Sequence, residues 1–536
     1  MKTFELIAKT FQGLEEVLAK ELTELGADNI QIGRRMVTFT GDKAMMYRAN
    51  FHLRTAIRIL KPIHHFNAKD ADEIYDIVKR IKWEDYMTVN TSFAVDSVVY
   101  SDEFRHSKFV AYRVKDAIAD YFREKEGKRP SVQVTNPDIT LHIHIAQERC
   151  TLSLDSSGES LHRRGYRQEA VEAPLNEVLA AGMILQTGWT GECDFVDPMC
   201  GSGTLPIEAA LIARNIAPGV FRKEFAFEKW ADFDQELFDE IYNDDSAERE
   251  FTHHIYGYDI DWKAVNIATN NVRAAGLSKN ITIEHRDMAE FVEPTEKAIM
   301  VTNPPYGERI TTDDLLGLYR TIGERLKHAF KGNDAWVLSY RKECFDKIGL
   351  KASVIIPLFN GALPCEFRKY ELFDGKFKDF RESGEELDKS ERPMAERRPL
   401  REREERAAKS FGMKREDERT RRFNEEGRGK SFGGNRHFSN DNFRYSDEHR
   451  KPNKREMAER NDRERYEEDT NYSTLYERHH EFAKMQAARE RKATGKLQGD
   501  KGSFRKNKFV DDRCGQRAQR FSNANPNKRN GKKFDK

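Results

Sequence analysis

Between an apolar run that ends at Val196 and the apolar stretch Ala209–Ile212 lies Asp197-Pro198-Met199-Cys200-Gly201-Ser202-Gly203-Thr204-Leu205-Pro206-Ile207-Glu208. Gly201 and Gly203 allow a tight backbone turn that can approach a ligand, and Asp197 puts an acid at the end of the strand before it. No Lys-Ser or Lys-Thr follows the glycines, which disfavours a phosphate-cradling P-loop. Two more acids end the following β-type runs: Asp259 after His254–Tyr258, and Asp287 after Ile281–Glu284. A carboxylate at Asp259 can accept two hydrogen bonds from ribose hydroxyls, and one at Asp287 can accept from an adenine amino group. Either acid alone reads equally well as a helix N-cap. Taken in order beside a glycine turn, they read as a nucleoside site. Asn303-Pro304-Pro305-Tyr306 follows the run Ala298–Val301. Its prolines stiffen the loop and remove backbone donors. The Asn303 side-chain oxygen and the Pro304 carbonyl then remain as acceptors able to hold an sp² amino group by both hydrogens. Tyr306 offers a ring for stacking on a planar base.

These residues need a scaffold, and the periodicity supplies one. From about Leu161 to Asp374, helical segments separate the apolar runs Phe195–Val196, His254–Tyr258, Ile281–Glu284, Ala298–Thr302, Ala335–Ser339 and Ser353–Leu358. That alternation predicts an α/β fold with a mostly parallel sheet covered on both faces, whose ligands bind at the carboxyl ends of the strands. Two smaller α+β units precede it. The first reads β-α-β-α-β: Thr3–Ala8, a helix through Leu14, Val17, Leu18, Leu22 and Leu25 stopped by Gly26, Met36–Phe39, Asp42–Phe51 and Ala56–His64. The second has helices over Ala71–Arg80 and Lys108–Phe122, a strand Ser92–Tyr100, and a hairpin formed by Thr140–Ala146 and Cys150–Leu154. His142 and His144 fall on one face of that hairpin. No further histidine stands at ligand spacing, so they are expected on a solvated face, and no metal is expected.

Composition limits the rest. Charged residues make up 34% of the 536, and mean hydropathy is -0.82, too polar for a chain packed throughout. The net charge of +1 is a cancellation: residues 1–375 carry about -12 and residues 376–536 about +13. The basic part has five Leu, Val or Ile residues (Leu387, Leu400, Leu475, Leu497 and Val510), so it is expected to be a disordered tail. Its arginines and lysines alternate with aromatics such as Phe411, Phe423, Phe504 and Phe521, which suits either a nucleic-acid arm or a solubilising polyampholyte. No membrane-length apolar run and no signal-type N-terminus is seen, and the six cysteines form no C-x-x-C pair. A reducing, cytoplasmic setting with no membrane partner is expected.

Asp197–Gly203 resembles motif I of the class I S-adenosylmethionine-dependent methyltransferases, and Asn303–Tyr306 resembles the N-P-P-Y motif of their amino-methylating branch. Ser157–Arg167 with Ala173–Asn176, Asn215–Gly219 and Phe225–Trp230 are similar to segments of the large-subunit ribosomal RNA guanine-N2 methyltransferases, the RlmL group. The resemblance implies a ferredoxin-like module over residues 1–65, a THUMP RNA-binding module over 66–156 and a methyltransferase domain over 157–374, followed by the tail 375–536. It implies S-adenosyl-L-methionine as cofactor, bound by Asp197, Gly201, Gly203, Asp259, Asp287 and Asn303. Asn303, Pro304, Pro305 and Tyr306 would act on guanine N2 of 23S ribosomal RNA, with Tyr306 stacked on a flipped-out base. Enterobacterial members of the group resemble fused chains with a second methyltransferase domain. No second glycine turn follows Asp374 here, so one activity is expected.

Within the body, His162-Arg163-Arg164-Gly165-Tyr166-Arg167 is the best local RNA-contact candidate, through Arg163, Arg164, Tyr166 and Arg167. A solvated domain linker explains it as well. Cys200 reads as a small buried thiol rather than a nucleophile. The same chemistry on tRNA, adenine-N6 methylation of DNA, and a non-catalytic RNA-binding assembly factor are the alternatives left open.

Overall fold

Amphipathic helices and alternating strands sort the first 155 residues onto a single sheet. The computed structural model describes residues 3–104, 106–307 and 312–373. The expected tail lies outside them. The chain opens with β1 (Phe4–Lys9), α1 (Glu15–Glu24), β2 (Asp28–Gly33), β3 (Met36–Gly41), α2 (Lys43–His52) and β4 (Arg58–Asn67). It continues with α3 (Ala71–Lys79), β5 (Ser92–Tyr100), α4 (Ser107–Glu126), β6 (Ser131–Val132), β7 (Ile139–Ala146) and β8 (Arg149–Asp155). The eight strands form one sheet in the order β2-β3-β1-β4-β8-β7-β5-β6.

β4 pairs antiparallel with both β1 and β8. The division expected at residue 65 therefore falls inside a strand shared by both modules. The first module is β-α-β-β-α-β rather than β-α-β-α-β. The missed strand, β2, is an exposed edge with little apolar signal. β7 and β8 form the expected hairpin. Their polar face is not simply solvated: His142 and His144 are half-buried, and burial pulls their imidazoles down to about 3 and about 4. Both are neutral at physiological pH.

The remaining elements build the α/β domain: α5 (Glu177–Thr187), β9 (Asp194–Asp197), α6 (Thr204–Ala213), α7 (Gln235–Asn243), β10 (Ile255–Asp259), α8 (Trp262–Ala274), β11 (Ile281–His285), β12 (Ala298–Thr302), α9 (Thr312–Ala329), β13 (Asp334–Ser339), α10 (Lys342–Ile348), β14 (Val354–Asn360) and β15 (Leu363–Glu371). The sheet order is β11-β10-β9-β12-β13-β15-β14. The first five are parallel; β15 runs antiparallel between β13 and β14. β9 and α6 are buried along their whole length, as expected of elements inside a doubly covered sheet.

Two segments singled out in the sequence join the modules. Tyr47 of α2 stacks on Phe227 at 4.3 Å between centroids, and Phe225 stacks on Phe227 at 5.2 Å. Gly219 meets the end of α2 so closely that an added Cβ would lie 2.7 Å from the Phe51 carbonyl oxygen, so only glycine fits there.

Candidate active site

The glycine turn sits at the centre of the sheet because the strand order reverses there: β9 is flanked by β10 on one side and β12 on the other. Gly201 (φ +53°) and Gly203 (φ +79°) both adopt left-handed backbone. A Cβ on Gly203 would come within 3.1 Å of Ala268 Cβ, so the second glycine serves helix packing. One on Gly201 would meet only Val171 Cγ2, at 3.6 Å. The backbone at Gly201 is thus left accessible from that side.

Asp259 holds the turn. Its Oδ2 accepts from Gly201 N (2.9 Å) and its Oδ1 from Asp261 N (2.9 Å). The N-cap of α8 is Asp261, whose carboxylate accepts from Lys263 N. Asp259 is therefore not the cap. Asp287 does act as a local cap, accepting from Ala289 N at 2.9 Å. Beside Asp259, Ile260 and Trp262 are 62% and 64% exposed, and Trp262 stacks on His285 at 4.1 Å with rings 4° apart. Sequence reading missed this apolar shelf next to the ribose-type acid. An exposed Ile-x-Trp immediately after a strand-ending Asp was the available signal.

Asp197 is only 2% exposed. Its Oδ1 accepts from Thr302 Oγ1 (2.9 Å) and from Met199 N (3.2 Å), which ties the glycine turn to the end of β12. Burial, reinforced by the neighbouring Asp259 charge, pushes its carboxyl up to about 7. Cys200 is buried as expected, and burial raises its thiol well above its ordinary value, so it is inert as a nucleophile.

Beyond Thr302, Asn303 is half-buried, Pro304 buried and Pro305 exposed. The half-buried Tyr306 donates its hydroxyl to Asn303 Oδ1. Its ring meets Tyr340 edge-on at 5.4 Å. The structure thus brings Asp197, Gly201, Gly203, Asp259 and Asn303–Tyr306 to adjoining strand ends.

The expectation for His162–Arg167 is corrected. Arg164 and Tyr166 are each 2% exposed and point inward. Arg164 pairs with Glu208 of α6 (3.4 Å) and donates to the carbonyls of Leu161 and Arg54, while Tyr166 Oη donates to Glu208 Oε1 (2.9 Å). Arg167 donates to Thr204 Oγ1 and Leu175 O and pairs with Glu177. Arg164 and Tyr166, both buried, and the half-buried Arg167 pin the start of α6, and Arg164 and Tyr166 do not present themselves to RNA. Arg163 alone is exposed, 3.0 Å from Glu159. The next segment straps the turn: Val171 N donates to Ser202 Oγ, and the fully buried Asn271 donates to Ser202 O and Glu169 O. Asn271 was not foreseen, because a mid-helix asparagine carries no motif signal.

Two acids at a turn with accessible backbone, Asp197 and Asp259, with an exposed aromatic shelf alongside, suit a cationic adenosyl ligand. At the opposite edge, Asp194, His253 and Glu296 bring ligand-type atoms within 4.8 Å of one another. Asp194 already accepts from His254 N there.

Residues 5–60 match the RlmL ferredoxin-like domain, residues 68–155 the THUMP domain, and residues 164–369 the RMKL-like methyltransferase domain. The chain is 39% identical over 369 residues to slr0064 of Synechocystis, whose name describes an RNA methyltransferase; the match covers 68% of this chain and 96% of that one. It is 40% identical over 379 residues to the ribosomal RNA large subunit methyltransferase K/L of Syntrophotalea carbinolica, covering 68% of this chain and 53% of that one. The chain therefore spans about half the length of the K/L relatives it matches. Among solved structures, SMU.472, a methyltransferase-type protein complexed with SAH, superposes with a TM-score of 0.64 at 31% identity, over 70% of this chain and all of that one.

Proposed function

This chain belongs to the RMKL-like methyltransferase family with ferredoxin-like and THUMP modules, and we propose that it methylates the exocyclic N2 of a guanine in 23S ribosomal RNA. S-adenosyl-L-methionine is its cofactor; when bound it supplies an electrophilic methyl group. The observation that carries the reading is the position of Asn303-Pro304 just after β12, one strand away from the glycine turn. Backbone around Gly201 and the carboxylates of Asp197, Asp259 and Asp287 would hold the cofactor, with Ile260 and Trp262 beside its base. Asn303 Oδ1 and the Pro304 carbonyl would take both N–H groups of guanine N2, orienting the nitrogen lone pair toward the methyl group. The amine would gain the methyl as the methyl's bond to the sulfonium sulfur breaks, leaving a neutral thioether, and would lose one proton to water, so no general base is required. The test is methyl transfer from labelled cofactor to unmodified 23S RNA, tRNA and DNA, with identification of the product nucleoside. N2-methylguanosine in 23S RNA is expected. The same mark in tRNA moves the substrate, and N6-methyladenosine in DNA overturns the base assignment.

Asp197 makes cofactor binding pH-dependent. A carboxyl raised to about 7 is protonated below that pH, and a cationic ligand favours its ionised form. Affinity should therefore rise with pH, by at most about tenfold per unit below 7, and level off above it. Titration calorimetry from pH 5.5 to 8.5 checks this, and Asp197→Asn should flatten the curve.

With Arg164 and Tyr166 buried, α4 offers a better RNA contact. Phe109 and Tyr112, one turn apart, are 53% and 57% exposed, Lys108 just before Phe109 is exposed, and Lys115 lies 5.3 Å from the Tyr112 ring centre. Base–aromatic stacking contributes about 1–3 kcal/mol per base. Replacing both aromatics by alanine should weaken RNA binding about tenfold or more, with cofactor affinity unchanged.

A further inference from the structure

The β14–β15 hairpin reaches the candidate active site. β14 runs parallel to β13 because each pairs antiparallel with β15, so it ends on the carboxyl edge where Asn303 stands. Asn360 is its last residue, and the exposed Gly361-Ala362 turn follows, with Gly361 at φ +61°. Asn360 Nδ2 donates to Tyr306 Oη at 3.5 Å. Tyr306 in turn donates to Asn303 Oδ1. The Cys365 thiol on β15 also interacts with the phenol.

A phenol has one proton. Since Tyr306 gives it to Asn303, its oxygen must accept from the Asn360 amide. The relay has one polarity, from amide N–H to phenol O–H to side-chain carbonyl, and each bond strengthens the next. Its last acceptor is the oxygen assigned above to the target amino group. Asn303 Oδ1 has two lone pairs, so with one held by the phenol the other is left for the target amino group.

We infer that Asn360 is a positioning residue for the target base: it holds Tyr306 so that the phenol aims Asn303 before the base arrives and keeps the ring in place afterwards. The inference rests on the amino-group reading of the Asn303 loop.

Aspartate has the shape of asparagine but no N–H to donate; glutamine keeps the N–H and changes the reach. Asn360→Asp should lower kcat about tenfold, the size of one lost hydrogen bond, with cofactor affinity and melting temperature unchanged. Asn360→Gln should recover most of that rate. A role in shape alone predicts the reverse order, with the aspartate variant active and the glutamine variant impaired, and would overturn the inference. A crystal structure of Asn360→Asp gives a readout without activity: the Tyr306 hydroxyl should leave Asn303 and turn to the new carboxylate. A hydroxyl that stays on Asn303 overturns the inference while leaving the amino-group reading intact. Wild-type transfer to anything but an exocyclic amine overturns both.

Discussion

Asn303→Ala should reduce methyl transfer at least about a hundredfold and lower cofactor affinity far less. The expected size follows from the role proposed above for the side chain. An exocyclic amino group is a poor nucleophile because its lone pair is delocalised into the ring. Two acceptors on its hydrogens favour the geometry in which that pair points at the methyl group, and they stabilise the positive charge that develops on nitrogen. Removing one of two preorganised polar partners at a reacting centre typically costs about 10²–10³ in rate. The loop itself should survive, because Pro304 and Pro305 fix its backbone and Thr302, fully buried, still bonds to Asp197. The change thus separates chemistry from folding. Single-turnover transfer and calorimetry with S-adenosylhomocysteine measure the two quantities. An unchanged rate would move the target amine away from Asn303. A chain acting only as an assembly factor would keep its biological function in this variant, whatever its transfer rate.

The arrangement of the candidate site was largely legible in the sequence because its residues stand at strand ends. Gly201, Gly203 and Asp259 occur where a strand meets a turn, and the hydrogen bond from Gly201 N to Asp259 joins the ends of two strands that the alternating pattern places in one sheet. The parallel strands β9–β13 were readable as short apolar runs for the same reason. What escaped notice depends on contacts between distant segments. β15 has a mixed pattern of apolar and charged residues, and its place between β13 and β14 is set by pairing on both sides. Asn360 has no meaning until that hairpin folds it back onto Tyr306. The arginine cluster shows the opposite error. Arg-Arg-Gly-Tyr-Arg has the composition of an RNA contact, yet burial is a property of the whole fold, and composition alone could not reveal that Glu208 waits inside for Arg164. The acid was visible in the sequence, five residues beyond Gly203, in a helix that is otherwise apolar. A lone glutamate in such a helix signals a buried partner.

Arg164→Ala should destabilise the protein by about 3–5 kcal/mol, the usual cost of removing one member of a buried ion pair. Both partners are nearly inaccessible, Arg164 at 2% and Glu208 at 0% exposure. The arginine also satisfies the carbonyls of Leu161 and Arg54, one from the linker and one from the ferredoxin-like module. Arg54 extends the same junction into the methyltransferase domain by donating to Ile216 O (2.8 Å) and to Asn215 Oδ1 (3.2 Å). The alanine variant would leave Glu208 inside the junction without its arginine, with Tyr166 still bonded to it, and two carbonyls without their donor. Replacing both members by apolar residues of similar volume, Arg164→Met with Glu208→Leu, removes the stranded charge and should restore much of the loss. Recovery in the double variant identifies charge burial as the cause; continued instability would place the cost in the two carbonyls instead. Denaturant unfolding of the full chain measures both. Because Glu208 lies on the helix that follows the glycine turn, the single variant should also lose cofactor affinity as the turn loosens. RNA affinity, carried by other surfaces, should hold in the fraction that remains folded. An RNA-contact arginine would behave the other way, losing affinity and salt dependence at unchanged stability.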